Sequence, residues 1–327
     1  LRSSPCTGRK LMDGSDAPEQ SHLNEFLADV VDGLSKPQKT LACRWLYDEA
    51  GSDLFEQITE LPEYYPTRTE ISILNQHADE IVSTLGDDAL LIEYGAGAST
   101  KTRILLDNLN AIAGYVPIDV SEAFLLYTAE TLRRDYPKLD VFPVVGNFMA
   151  EIDLPELPSG QRVGFFPGST IGNLSDDEIE SFLNGARSLL GDDSRFLIGV
   201  DLRKSPDILV PAYDDAAGVT AAFNLNLLRR INSELDASFD LTCFTHEARW
   251  NDEASRIEMH LVSTCDQDVT IADQSFHFSA GETIHTENSR KFSIETLTPV
   301  FEKTGWTITN LWSDPGNLFA VLILTAE

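Results

Sequence analysis

Gly95 and Gly97 stand where the apolar run Leu90–Ile92 gives way to the helix-forming segment that follows Thr100, in LLIEYGAGASTKTRILLD (90–107). A strand, a tight glycine turn and a helix start form the device by which α/β enzymes cradle a nucleotide-like cofactor. Asp119 closes the next apolar run, 24 residues after Gly95, where nucleotide folds place an acid on ribose hydroxyls. A dinucleotide fingerprint needs a third glycine at position 100, which holds Thr100, and a Walker loop needs Gly-Lys-Ser/Thr, whereas Lys101 follows Thr100. Both departures argue against a pyrophosphate and favour a cofactor with a ribose alone, such as S-adenosylmethionine. The turn by itself leaves three readings open: a methyltransferase, a nicotinamide or flavin enzyme, or a fold whose glycines only pack helix on strand.

Two further segments fall at the same predicted sheet edge. Gly146-Asn147-Phe148 offers a polar side chain to read an adenine amino group and a ring to stack on the base, although Phe148 could equally be core. Gly168-Ser169-Thr170-Ile171-Gly172-Asn173 is a glycine-rich polar loop suited to a substrate wall, or else a capped turn. Six histidines are present, none in HExxH or a paired ligand spacing, so no metal is expected. The sequence around Ser169 lacks the G-x-S-x-G elbow of a serine nucleophile.

These residues need elements to hold them. Residues 21–80 read as helical, broken at Leu61–Pro66, with a capped helix from Thr67 towards Thr84. From Ala89 apolar strands (90–94, 115–120, 140–146, 163–168, 195–202) alternate with helices (100–109, 121–135, 176–190). Strands apolar throughout are those of a parallel sheet covered on both faces, hence a doubly wound α/β core. Residues 206–285 break the alternation with one helix, 219–235, and several strand-like runs, and read as an insertion. A helix, a strand, a Pro-Gly turn and a last strand then suggest an antiparallel pair at the sheet edge. The expected division is a core of 81–205 and 286–327, and a second part of 21–80 and 206–285. Residues 1–20 read as a disordered tail or a remnant of cloning.

The chain has 327 residues with 53 acidic and 24 basic, a net charge of −29 that makes nucleic acid and anionic membrane poor partners. Scattered cysteines, no apolar run near the ~20 residues of a membrane span and no signal-like start point to a cytoplasmic protein.

Taken together, LPEYYPTRTE (61–70), EYGAGASTKTR (93–103), FPGSTIGN (166–173), AYDDAAGVTAAFN (212–224), RIEM (256–259) and TENSRKF (286–292) closely resemble the histidine-specific Nα-methyltransferases of ergothioneine biosynthesis. The similarity runs from about Lys36 to the C-terminus and includes the insertion. It implies a Rossmann-like class I methyltransferase sheet with a terminal antiparallel pair, and a second α+β substrate-binding part. It also implies trimethylation of L-histidine to hercynine by S-adenosylmethionine, in a monomer with no metal. Related members act on tryptophan derivatives, which leaves another aromatic amine, or a non-catalytic cofactor-binding module, as alternatives.

The resemblance places Gly95, Lys101, Asp119, Asn147 and Phe148 on the cofactor. It places Tyr47, from RWLYDEAGSDLF, and Tyr64 at the reacting amine. Tyr64, Asn173 and Tyr213 would hold the amino and carboxylate groups, and Glu287, Asn288, Ser289 and Met259 the side-chain pocket. The family commonly has Asp-Phe where this chain has Asn147-Phe148, which keeps an acceptor but loses a charge.

Overall fold

In the computed structural model the described residues are 16–97, 99–109 and 112–327, with side chains described from residue 22. The chain begins with helix α1 (Asp16–Leu34), strand β1 (Lys39–Thr40), a 3-10 turn, and helices α2 (Glu49–Thr59), α3 (Tyr65–Gln76) and α4 (Ala78–Leu85). An alternating stretch follows: β2 (Ala89–Tyr94), α5 (Thr100–Asn108), β3 (Ile112–Asp119), α6 (Glu122–Asp135), β4 (Val144–Val145), β5 (Gln161–Phe166), α7 (Asp176–Leu190) and β6 (Arg195–Asp201). Next come α8 (Pro206–Tyr213), α9 (Val219–Glu234), β7 (Phe244–Asn251), β8 (Arg256–Ser263), β9 (Gln267–Ile271), β10 (Gln274–Phe278) and β11 (Thr283–Arg290). The last elements are α10 (Ile294–Lys303), β12 (Trp306–Ser313) and β13 (Phe319–Ala326).

Seven strands form the main sheet in the order β12-β13-β6-β5-β2-β3-β4. The five central and far strands run parallel, and β13 lies antiparallel to both β6 and β12. The order reverses between β2 and β5, which opens a crevice at their carboxyl ends. One face is covered by an apolar cluster that includes Phe182 and Phe301 from α7 and α10, the other by one that includes Leu74, Ile81, Leu105 and Leu132 from α3 to α6. Burial on both faces is what makes β2 and β13 apolar nearly throughout.

A third cluster belongs to a separate lobe. Phe26, Val30 and Leu34 of α1 share it with Phe223 and Leu227 of α9 and with Met259 and Leu261 of β8. The lobe holds a four-stranded sheet, β1-β11-β8-β7, beside the hairpin β9-β10. Helices α1 and α2 and the insertion thus close over one core, stitched by β1 pairing with β11, whereas α3 and α4, expected with this part, bury their apolar faces on the main sheet.

Several expectations are corrected in detail. The helix expected from Thr67 to Thr84 is two helices: Pro66 favours a start two residues earlier, at Tyr65, and the chain breaks at His77. The strand expected over 140–146 shrinks to β4 plus a bridge at Val141, since Pro143 between them supplies no N–H to the ladder. Helix α8 and strands β1 and β11 were not anticipated. Strand β11 crosses the expected boundary at 285/286, so Thr286–Arg290 lie in the second sheet rather than the main core. Of the expected N-terminal tail, residues 16–20 are helical and residues 1–15 lie outside the described residues.

The two layers meet at the loop after β5. A Cβ on Gly172 would lie 2.9 Å from the Arg290 carbonyl oxygen and 3.2 Å from its nitrogen, backbone of β11 that cannot step aside. Gly172→Ala is expected to push the loop off β11, lowering stability by about 1–3 kcal/mol. Thermal unfolding of the variant measures it, and an unchanged midpoint would show that this contact does not join the layers.

Candidate active site

A cavity of about 1240 Å³ opens at the carboxyl ends of β2, β3 and β5 and runs under the second sheet. All thirteen side-chain and glycine positions named from the sequence line it: Tyr47, Tyr64, Gly95, Lys101, Asp119, Asn147, Phe148, Asn173, Tyr213, Met259, Glu287, Asn288 and Ser289.

The glycine turn forms the floor. Gly95 and Gly97 have φ of 74° and 48°, values that L-residues adopt only with strain. Its amides are spent internally: those of Gly95 and Ala96 donate to the Ile118 carbonyl at 2.9 and 3.1 Å, and that of Gly97 donates to Asp119 Oδ2 at 3.1 Å. A phosphate-binding turn must point free N–H groups outward, and these three point inward. Asp119 also accepts from the Ser121 amide at Oδ1, 3.0 Å, which fixes the carboxylate while leaving each oxygen a further lone pair for hydroxyl donors. The turn and acid therefore fit a ribose-bearing ligand without pyrophosphate, as S-adenosylmethionine is.

Beside it, Asn147 Oδ1 accepts from the Met149 amide at 2.9 Å, which fixes the side chain and leaves its NH₂ donor and a second oxygen lone pair for a ligand. Phe148 is both core and wall: its ring meets Phe166 and Phe182 at 5.4 and 5.6 Å while it lines the cavity. Lys101 also lines the cavity, but its ammonium pairs at 2.5 Å with Glu70, a carboxylate only 1% exposed. Glu70 in turn accepts from the Gly168 amide. Lys101 thus braces the loop after β5, and its charge is already neutralised. Glu93, missed by the sequence reading, is buried under the turn and accepts from Thr102 and Tyr115, and burial pushes its carboxyl up to about 7.

Opposite the turn stand rings. Tyr47 packs on Phe55 and Phe223 at 5.5 and 5.4 Å, and Tyr64 packs on Phe55 and Tyr213 at 6.2 and 5.9 Å. Burial holds the phenols of Tyr47, Tyr64 and Tyr213 well above their ordinary range, so all three stay protonated at neutral pH. Phe55 and Phe223 complete this wall, and an aromatic at either place gives no sequence cue that separates wall from core.

Strand β11 supplies the far end. Ile284 and Leu261 are cross-strand partners inside the lobe core, and strict alternation would send 286 and 288 inward next. A bulge between His285 and Glu287 resets the phase, so Glu287 sits opposite the core residue Met259 and Ser289 opposite Ile257. Asn288, across from Glu258, keeps a buried side-chain oxygen without a hydrogen bond. Asn173 Nδ2 donates to Glu287 Oε1 at 3.2 Å, which joins the loop after β5 to the bulge. Burial raises the Glu287 carboxyl to about 7, opposed by the Lys291 charge and the Asn173 bond.

A buried ionic cluster stands behind these groups. Lys291 Nζ donates to Asp201 Oδ2 (2.7 Å), Tyr213 OH (2.8 Å) and Ser289 Oγ (2.7 Å). Asp201 also accepts from Tyr65 OH at 2.8 Å and from Lys204 at 2.5 Å. Burial lowers the Lys204 ammonium to about 8.

Among the described residues, one group of metal-type ligands gathers on the second sheet, Glu258, His260 and His285, the last of which also lines the cavity, with ligand atoms within 4.8 Å of one another. The two imidazoles stack at 4.8 Å and 21°, and Glu258 Oε1 is held by Arg256 and Asn251. Nearly parallel rings do not aim two in-plane lone pairs at one ion, so this arrangement is a hydrogen-bonded stack.

The Glu287 carboxyl binds its proton more tightly folded than unfolded, so its ionisation costs stability as pH rises through about 7. Glu287→Gln is accordingly expected to raise ligand-free stability at pH 8 by on the order of 1–3 kcal/mol. The gain should shrink towards zero by pH 5, where the native side chain is itself protonated. Thermal melts at the two pH values check this, and an equal effect at both would remove the assignment.

A family model described as "Histidine-specific methyltransferase, SAM-dependent" matches residues 26–326. Histidine N-alpha-methyltransferase of Mycolicibacterium smegmatis is 43% identical over 299 residues, covering 90% of this chain and 92% of that one. The protein of the same name from Mycobacterium tuberculosis is 42% identical over the same length and with the same coverage. Ergothioneine biosynthesis protein 1 of Neurospora crassa is 36% identical over 193 residues, 57% of this chain and 22% of that longer protein. With a strand order that reverses beside the glycine turn and a match that runs over nearly the whole chain, the chain belongs to the family of S-adenosylmethionine-dependent, histidine-specific methyltransferases.

Proposed function

We propose that this protein methylates the α-amino nitrogen of L-histidine three times, giving hercynine, the first step of ergothioneine biosynthesis. The observation that carries the reading is one cavity lined both by a glycine turn whose Gly95, Ala96 and Gly97 amides bond inward and by a carboxylate, Glu287, held well above its ordinary range. S-adenosylmethionine, when bound, supplies an electrophilic methyl group on a positively charged sulfur. Gly95, Asp119, Asn147 and Phe148 would hold it, with Lys101 bracing the loop beside it.

The protein's task is placement. Methyl transfer needs the amine lone pair ~3–3.5 Å from the reacting carbon and in line with the leaving group. Tyr64, Asn173 and Tyr213 would fix the amino acid's amine and carboxylate. None of the three phenols serves as a strong base, because burial keeps each one neutral. The same burial disfavours a protonated amine, easing loss of the proton that blocks its lone pair. As methyls accumulate, the nitrogen ends as a fixed cation, which the faces of Tyr47 and Tyr64 stabilise by ~0.5–2 kcal/mol each. Glu287, at the far end, would accept an imidazole N–H, and an apolar ring there would leave it buried without a ligand partner. Helices α1 and α2, the insertion and β11 form the lobe that carries Tyr47, Tyr213 and Glu287, and we assign substrate binding to that lobe.

Mass spectrometry of L-histidine incubated with the protein and S-adenosylmethionine is expected to show a product heavier by three methyl groups. Histidine left unchanged while another aromatic amino acid gains methyls would overturn the substrate. Glu287→Ala is expected to cut kcat/KM for histidine by at least ~100-fold and to erase its advantage over other aromatic amino acids. Binding of S-adenosylhomocysteine should be nearly unaffected, and full histidine turnover in this variant would remove Glu287 from the pocket.

A further inference from the structure

Lys291 is 2% exposed and reaches none of the cavity surface, yet its ammonium is bonded to two hydroxyls that do. An ammonium has three donors and no acceptor. Its three protons go to Asp201, Tyr213 and Ser289, so both hydroxyl oxygens must accept from it. Those oxygens are themselves 2.7 Å apart, which consumes one of their two protons in a bond between them. One hydroxyl proton remains; the Tyr64 hydroxyl already meets that of Tyr213, so the open direction left is from Ser289 into the cavity that both line. The phenol is the stronger acid and the serine oxygen the better acceptor, which orders the relay as Lys291 and Tyr213 into Ser289, and Ser289 into the cavity.

We propose that Lys291 is a specificity-determining positioning residue, which turns Ser289 into an obligate hydrogen-bond donor beside the acceptor Glu287. The two residues lie two apart on the inner face of β11, so the strand presents an acceptor and a donor side by side. A neutral imidazole matches that pair, since one ring nitrogen carries a proton and the other a lone pair. An indole has only the N–H, and a phenyl ring has neither. The inference rests on histidine occupying this cavity as proposed above, and it adds the ring's protonation state and the residue that sets it.

The test is binding in the presence of S-adenosylhomocysteine, with L-histidine and with thienylalanine, whose five-membered ring has no nitrogen. Lys291→Met keeps the length of the side chain and leaves Asp201 paired with Lys204 and Tyr65. It is expected to weaken histidine about ten- to a hundred-fold, the cost of leaving a buried ring nitrogen without its donor, and thienylalanine by less than about threefold. Ser289→Ala should add little to Lys291→Met, because the two act through one bond. Equal weakening of both ligands, or none, would overturn the proposal. For the case in which Lys291→Met does not fold, NMR of ring-labelled histidine bound to the unaltered protein gives an independent answer. One protonated and one lone-pair-bearing ring nitrogen across neutral pH is the expected result, and two protonated nitrogens would refute it. Failure of the unaltered protein to bind histidine at all would instead sink the substrate reading itself.

Discussion

The carboxylate of Asp201 ends β6 with no exposure to solvent, and two distant parts of the chain converge on it together with the segment that follows β6. Tyr65 reaches it from α3, Lys204 from the segment after β6, and Lys291 from the end of β11. Its own amide donates to Ser169 of the loop after β5. An ion buried this deeply is tolerable only with its partners in place, and removing one typically costs about 3–5 kcal/mol. The cluster therefore acts as a registration point. It sets where the second sheet sits against the first, and with it the placement of Tyr213, Ser289 and Glu287 relative to the glycine turn.

From that point the cavity divides its labour by layer. The main sheet contributes backbone geometry: positive-φ glycines, a fixed acid and a loop braced by Lys101 and Glu70. The second lobe contributes side-chain chemistry: rings, a raised carboxyl and a hydroxyl pair. The loop from Gly168 to Asn173 touches both, bonding Glu70 at one end and Glu287 at the other. A change at either end would be transmitted through six residues with little slack, since Gly172 already sits against β11 backbone.

The α/β core was legible because strands buried on both faces carry an unbroken apolar signature, as β2 does, and because Gly95 and Asp119 lie at an informative spacing. The segment to β4 was less so, since Pro143 allows an apolar run to pair over only two residues. Strand β11 was not legible at all from alternation, for its bulge swaps the faces of Glu287 and Asn288 midway. Family resemblance brought Glu287 and Ser289 forward where periodicity had nothing to say. Lys291, Asp201 and Lys204 escaped both routes, because a buried charge is defined by partners that sequence distance conceals: Lys291 and Asp201 are 90 residues apart. Glu93 was passed over for the opposite reason, as an acid within an apolar strand reads as part of the glycine motif rather than as a titrating group.

The inward-turned amides of Gly95, Ala96 and Gly97 bear on how this protein would fare among a cell's other adenosine compounds. Adenine and ribose are common currency, and the triphosphates and dinucleotides that carry them outnumber most other ligands of that shape. A turn with spare N–H groups would attract their phosphates and be occupied by the wrong molecule for much of the time. Here an anionic tail finds no donor in the amides of Gly95, Ala96 and Gly97, and it meets Asp119, whose charge opposes it. Swings in nucleotide supply would therefore pass over this site, and its occupancy would follow the balance between methyl donor and spent donor instead.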